Sequence, residues 1–145
     1  MEDSFTSRLS VSRRFPVTAE ILFNALTNAE VARNFMFATP EGEMVRAEVD
    51  ARKGGQFVFT EMRDGEEIEH LGEYLRVDRP KLLEFNLSVP KYSEHADRVS
   101  VEIMSLGPWS EVVITHQSPH DMEEHREMIE DGWKNILEGL AKTIG

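Results

Sequence analysis

The sequence predicts an α+β domain in which a curved antiparallel sheet of seven strands wraps around a long C-terminal helix. Three observations lead there. Short runs of alternating apolar and polar residues recur from residue 44 to residue 116, separated by turn signals of hairpin length. One further alternating run opens the chain and is followed by two short helical patterns. The last 27 residues carry apolar side chains at helical spacing. Hairpin-length connections require antiparallel neighbours, and strands with one apolar face need a single cover. The terminal helix is that cover.

The elements follow in order. Residues 8–15 alternate, with Leu9, Val11 and Arg13 on one side and Arg8, Ser10, Ser12 and Arg14 on the other. Pro16 ends this strand. Thr18 is placed to cap a first helix striped by Ile21, Leu22, Ala25 and Leu26, with Glu20 near its positive end. Asn28 is placed to cap a second, running through Val31, Ala32, Phe35 and Met36. Strands are expected over 44–51, 56–62 and 67–78, punctuated by Gly54-Gly55 and by Asp64-Gly65, a strong hairpin signal. After Arg79-Pro80, Leu83, Phe85, Leu87 and Val89 alternate with polar residues. Val99, Val101 and Ile103 do so across 98–104. Beyond Gly107-Pro108, Val112, Ile114 and His116 share a face. Ser118-Pro119 reads as an N-cap with proline in the first turn of a helix over 119–144, roughly 39 Å long at ~1.5 Å per residue. Met122, Ile129, Trp133, Ile136, Leu140 and Ile144 form its stripe, and Gly132 lies beside Trp133.

The 145 residues show no repeat, linker or low-complexity tract, so residues 1–145 are expected to form a single domain. Sixteen basic against 27 acidic residues leave a formal charge of −11. Such a surface repels phosphate backbones and anionic membranes. No run of 18 apolar residues is available to span a bilayer. The start, Met1-Glu2-Asp3-Ser4-Phe5-Thr6, has acids where a secretory signal has a basic flank, and the chain is expected to be cytoplasmic. It contains no cysteine, which excludes disulfides, thiolate metal sites and a cysteine nucleophile.

Several segments together resemble a known family. Asp50-Ala51-Arg52-Lys53-Gly54-Gly55-Gln56-Phe57 is similar to the Asp-x-Arg-x-Gly-Gly-x-Phe segment of the activator-of-heat-shock-protein-ATPase-like family. That family is part of the START, polyketide-cyclase and birch-pollen-allergen superfamily (SRPBCC). Pro16, Ala19, Glu20 and Phe23-Asn24-Ala25-Leu26-Thr27-Asn28 resemble its first helix region. Gly72-Glu73-Tyr74, Val77 and Pro80-Lys81-Leu82-Leu83 resemble its central hairpin, and Thr115-His116 and Gly132-Trp133 its C-terminal part. The resemblance covers residues 8–144. It implies the helix-grip fold and an apolar cavity between sheet and helix, used by many relatives for lipids, hormones or polyketides. Many members carry a tryptophan after the second helix, where this chain reads Asn34-Phe35-Met36-Phe37. Phe35 keeps the bulk and loses the indole donor.

The leading expectation is therefore a domain that binds or carries a small apolar molecule, lipid- or polyketide-like. Its expected lining is Phe35, Phe57, Phe59, His70, Tyr74, Phe85, His116, Ile129 and Trp133. Tyr74 or His116 would orient the ligand. The alternative is a cyclase- or hydrolase-like enzyme using acid–base chemistry in the same cavity. His70, His116 and Tyr74 are its candidate groups, and no catalytic residue is assigned. A third reading, a co-chaperone-like interaction module, would act through an exposed patch. No cofactor is expected. His116, His120 and His125 lack the spacing of a metal site. Glu61, Glu69, Glu73 and Glu102 are expected to face solvent, and Asp50 with Arg52 to form a surface pair beside the Gly54-Gly55 turn.

Overall fold

The computed structural model describes residues 7–92, 95–119 and 123–144. Its elements run β1 (Ser7–Phe15), α1 (Ala19–Thr27), α2 (Ala29–Ala32), β2 (Glu43–Val49), β3 (Gln56–Arg63), β4 (Glu66–Asp78), β5 (Leu82–Ser88), β6 (Asp97–Leu106), β7 (Trp109–Ser118) and α3 (Arg126–Ile144). The seven strands form one antiparallel sheet in the order β1-β7-β6-β5-β4-β3-β2. This is the expected helix-grip architecture, with two short helices between the first strand and the meander.

Alternation places the core. Leu9, Val11 and Phe15 of β1 face inward, as do Phe57 and Phe59 of β3, Leu83, Phe85 and Leu87 of β5, Val99, Val101 and Ile103 of β6, and Val112 and Ile114 of β7. Arg13, on the side of Leu9 and Val11, is exposed. The β3–β4 hairpin closes through Asp64 and Gly65, both at positive φ (51° and 80°), as a two-residue turn of matching twist demands. Asp50 and Arg52 pair at 2.9 Å in the exposed turn after β2, the surface role expected of them.

The helices depart from expectation in detail. Thr18 holds the N-cap position of α1, but its side chain makes no capping bond. Leu22, Phe23, Ala25 and Leu26 are buried while Ile21 is 46% exposed, so the buried stripe is shifted off Ile21. Asn28 does cap α2, accepting from the Glu30 amide at 3.0 Å. That helix stops at Ala32, and Phe35, Met36 and Phe37 follow in turns. The C-terminal helix begins at Arg126, not at residue 119. Ser118 is still a strand residue, paired with Ser7, because the β1–β7 ladder uses it. His120, Asp121 and Met122 lie outside the described residues. Nineteen residues make α3 about 28 Å long. It buries Trp133, Ile136, Leu137 and Leu140 against the concave face. Gly139 lets it approach: a Cβ there would meet the Phe35 Cβ at 2.8 Å.

Candidate functional site

Four of the expected lining residues come together in the interior. Phe57 lies 5.8 Å from Phe59, 5.6 Å from Tyr74 and 5.0 Å from Phe85, centroid to centroid. Tilted and edge-to-face contacts of this kind are the favoured packing of aromatic rings. They fill the space they surround. The hollow left among these rings, Leu26, Met36, Phe37, Leu83 and Val101 is about 10 Å³, at the lower limit for holding one water. Burial, with a smaller push from the Asp50 carboxylate, raises the Tyr74 pKa, so its phenol stays neutral.

His116 and Trp133 meet in a second cluster. The indole Nε1–H donates to Nδ1 of His116 at 2.9 Å. The other ring nitrogen, Nε2, therefore carries the hydrogen of the neutral imidazole and donates to Asp97 Oδ2 at 2.7 Å. Both nitrogens of a 5%-exposed ring are engaged. This relay ties α3 to β6 and β7, which is a positioning role. It leaves His116 no spare lone pair for acid–base work.

His70 sits apart, on β4, at the mouth of the fold. Its Nδ1–H donates to the Phe59 carbonyl at 3.2 Å. Its ring stacks on Phe37, 4.5 Å away and only 10° from parallel. Burial, which disfavours the imidazolium, lowers the His70 pKa to about 4; the nearby Arg63 guanidinium works in the same direction. The ring is thus neutral at pH 7, with its Nε2 lone pair a hydrogen-bond acceptor.

His70 is part of the wall of a groove of about 690 Å³ between the β3–β4 hairpin with the segment after α2 and the N-terminal part of α3 with the residues just before it. Phe37, Ala38, Thr39 and Arg63 line one side; Glu124, Glu127, Met128, Asp131, Gly132, Asn135 and Ile136 line the other. Met128 is 66% exposed there. A Cβ on Gly132 would meet no atom within 4 Å, so packing does not require glycine at this position. Phe35 lies elsewhere, against Gly139, in an adjoining hollow with Asn34 and Pro40. Ile129 packs against the core edge and is not among the groove's lining residues.

Glu61 overturns its expected place. It is 1% exposed, pointing inward with Phe57 and Phe59 because it has their parity on β3. It accepts from the Thr39 amide at 2.7 Å, from the Thr39 hydroxyl at 3.1 Å, and from Arg63 Nε. Arg63 Nη2 in turn donates to the Phe37 carbonyl at 3.2 Å. A carboxylate this deeply buried needs donors for its lone pairs, and here it has them. The pair clamps the segment after α2 onto β3. Glu69, Glu73 and Glu102 are exposed, as expected. Sequence reasoning counted Phe37 only among the large apolar side chains and missed Arg63 altogether, and Glu61 shares the strand parity of Phe57 and Phe59. Among the described residues no group of His, Asp or Glu is arranged to hold a metal ion. No described helix is long and apolar enough to cross a membrane.

The family model described as activator of Hsp90 ATPase homolog 1-like protein matches residues 16–145. None of the curated proteins matches in sequence. Solved structures match over nearly the whole chain. One from Nitrosomonas europaea has a TM-score of 0.81 at 19% identity, covering 99% of this chain and 96% of its own. One from Chromobacterium violaceum has a TM-score of 0.81 at 17% identity, covering 96% and 98%. An HSP90 activator from Plasmodium falciparum has a TM-score of 0.72 at 23% identity, covering 93% and 94%. At these identities the likeness is one of fold.

Proposed function

We propose that this chain, which belongs to the activator of Hsp90 ATPase homolog 1-like family, binds a small molecule in the groove between the β3–β4 hairpin and α3. The observation that carries this reading is the groove itself. Its volume of about 690 Å³ falls within the range of ligand sites, roughly 300–1,000 Å³. An apolar ligand body would lie on Phe37, Met128 and Ile136, and His70 Nε2 would accept a hydrogen bond from its polar end. Gly132 supports the same reading. A mid-helix glycine costs about 1 kcal/mol relative to alanine, and here the bare backbone faces the groove with no packing partner.

Of the three groups an acid–base enzyme would use, only His70 is a groove residue. With a pKa of about 4 it is neutral at pH 7 and suits accepting a hydrogen bond better than delivering a proton. Binding without chemistry is the simpler function. The test is native mass spectrometry of the purified protein, with extraction of any bound compound, repeated on Gly132→Trp. A stoichiometric small molecule lost in the variant supports the groove. A compound retained unchanged by folded Gly132→Trp would place the site elsewhere.

A second reading rests on a different face. Leu106 and Trp109 pair across the β6–β7 hairpin, and with Met104 they expose 41%, 47% and 46% of their surfaces. Such a patch suits a protein partner, and a chaperone is the partner the P. falciparum relative's name suggests. Stimulation of a purified Hsp90 ATPase that Trp109→Asp abolishes would support it. No stimulation by the unaltered protein would remove it.

A further inference from the structure

The groove and the 10 Å³ interior hollow share a single lining residue among those described, Phe37. Its ring is the partition between them. On the inner side it contacts Phe57 at 6.1 Å, Phe59 at 5.9 Å and Trp133 at 5.8 Å. On its flat face it stacks on His70.

The backbone beneath this ring is unusual. Phe37 has φ 58°, a left-handed conformation that bulky L-residues rarely adopt. It is held there from both sides: Arg63 binds the Phe37 carbonyl, and the buried Glu61 carboxylate binds the Thr39 amide two residues on. Backbone strain persists where surrounding contacts over-determine it, and it clusters at ligand clamps. The main chain is therefore fixed, and the side-chain torsions are the remaining freedom. The room for rotation is on the groove side, about 690 Å³, against about 10 Å³ within.

Resting on the groove reading, we infer that Phe37 is a displaceable plug, and that the place of its ring is a subsite for an aromatic ring of the ligand. When Phe37 turns outward, it vacates a ring-sized hole walled by Phe57, Phe59, His70 and Trp133. Four aromatic walls in stacked and edge-on geometry recognise another aromatic ring. The interior aromatics then become ligand contacts without any movement of the sheet. Ligand class follows from this hole: a small molecule ending in an aromatic ring, with its remainder in the groove.

The test uses N-phenyl-1-naphthylamine, an uncharged aromatic probe whose fluorescence rises on leaving water, with the full chain and Phe37→Gly. Glycine accepts the positive φ and removes the plug. Because the unaltered protein must first open, its apparent affinity is reduced by the closed fraction, and Phe37→Gly should bind about tenfold tighter or more. A second measurement avoids dependence on that variant's folding. 4-Fluorophenylalanine placed at position 37 of the otherwise unaltered protein should show a changed fluorine resonance at saturating probe. Equal affinities, or a fluorine resonance that does not move while the probe binds, would overturn the plug and leave the groove standing if Gly132→Trp still blocks binding. Binding by neither protein would overturn both readings.

Discussion

His70 makes the protein's stability depend on pH in a way that can be isolated. Its pKa is about 4 in the fold against 6.5 in the unfolded chain. The sign follows from which state takes the proton. Between those values the unfolded state binds it and the folded state does not. Stability is complete above about 6.5, falls as the pH drops, and reaches its floor near 4. A difference of some 2.5 units at 1.36 kcal/mol each amounts to about 3 kcal/mol. The cause is desolvation first, with Arg63 adding to it and the carbonyls of Phe59 and Ile68 and the Glu61 carboxylate opposing it. The assay is urea unfolding at several pH values from 7 to 4, for the unaltered protein and for His70→Gln. Glutamine keeps a donor for the Phe59 carbonyl and does not titrate in this range. Subtracting the two curves cancels the carboxylates that titrate in both. The unaltered protein should lose about 3 kcal/mol more than the variant on acidification. Parallel curves would refute the argument that burial holds this ring neutral.

Three further outcomes follow from the geometry. Glu61→Ala should cost about 3–5 kcal/mol in denaturant unfolding, because Arg63 and the Thr39 amide lose a buried acceptor. Trp133→Phe should cost about 1–3 kcal/mol by leaving His116 Nδ1 without its donor, and calorimetry of the two proteins would read it. The two inner glycines of α3 should respond to alanine with opposite signs. Gly132→Ala should gain up to about 1 kcal/mol, since its Cβ meets nothing, whereas Gly139→Ala should lose stability against Phe35.

The strands were legible because period-two alternation is a direct imprint of a half-buried sheet. Leu83, Phe85 and Leu87 against Glu84, Asn86 and Ser88 leave one choice of inner face. The start of α3 was not legible, although Ser118-Pro119 is a sound local signal for a helix start. Its failure lies in a partner 111 residues away: Ser118 pairs with Ser7, and ladder pairing outweighs a cap preference of about 1 kcal/mol. Glu61 was misread for another reason. It was expected in solvent with the other strand carboxylates, but on β3 it shares the parity of Phe57 and Phe59, and the inward place holds because Thr39 and Arg63 supply the donors. Neither donor is adjacent in sequence to the groove face of α3. Phe37 was legible only as a large apolar residue; its left-handed φ carried no signal, being imposed by the clamp around it and not by its own preference.

The interior aromatics pose the same problem in a sharper form. Phe57, Phe59, Tyr74 and Phe85 were expected to wall a cavity, and inward placement of four large rings is equally consistent with filling one. What decides between these outcomes is the side opposite the sheet. There Leu26 of α1 and Met36 and Phe37 of the segment after α2 cover the rings, leaving a hollow of about 10 Å³. The proposed binding function therefore rests on the places where packing leaves residues unexplained. Gly139 is explained by Phe35 at 2.8 Å, and Gly72 by a Phe57 ring carbon 2.1 Å from any added Cβ. Gly132 has no such neighbour, Met128 stands exposed beside it, and Phe37 holds a strained backbone across the groove from both. Gly132 and Met128 do not serve the core, and the Phe37 backbone is strained; together these features support the proposed groove site. The sheet and helix supply the frame, and the proposed site rests on residues 37–39, which the buried Glu61 and its partner Arg63 hold in place.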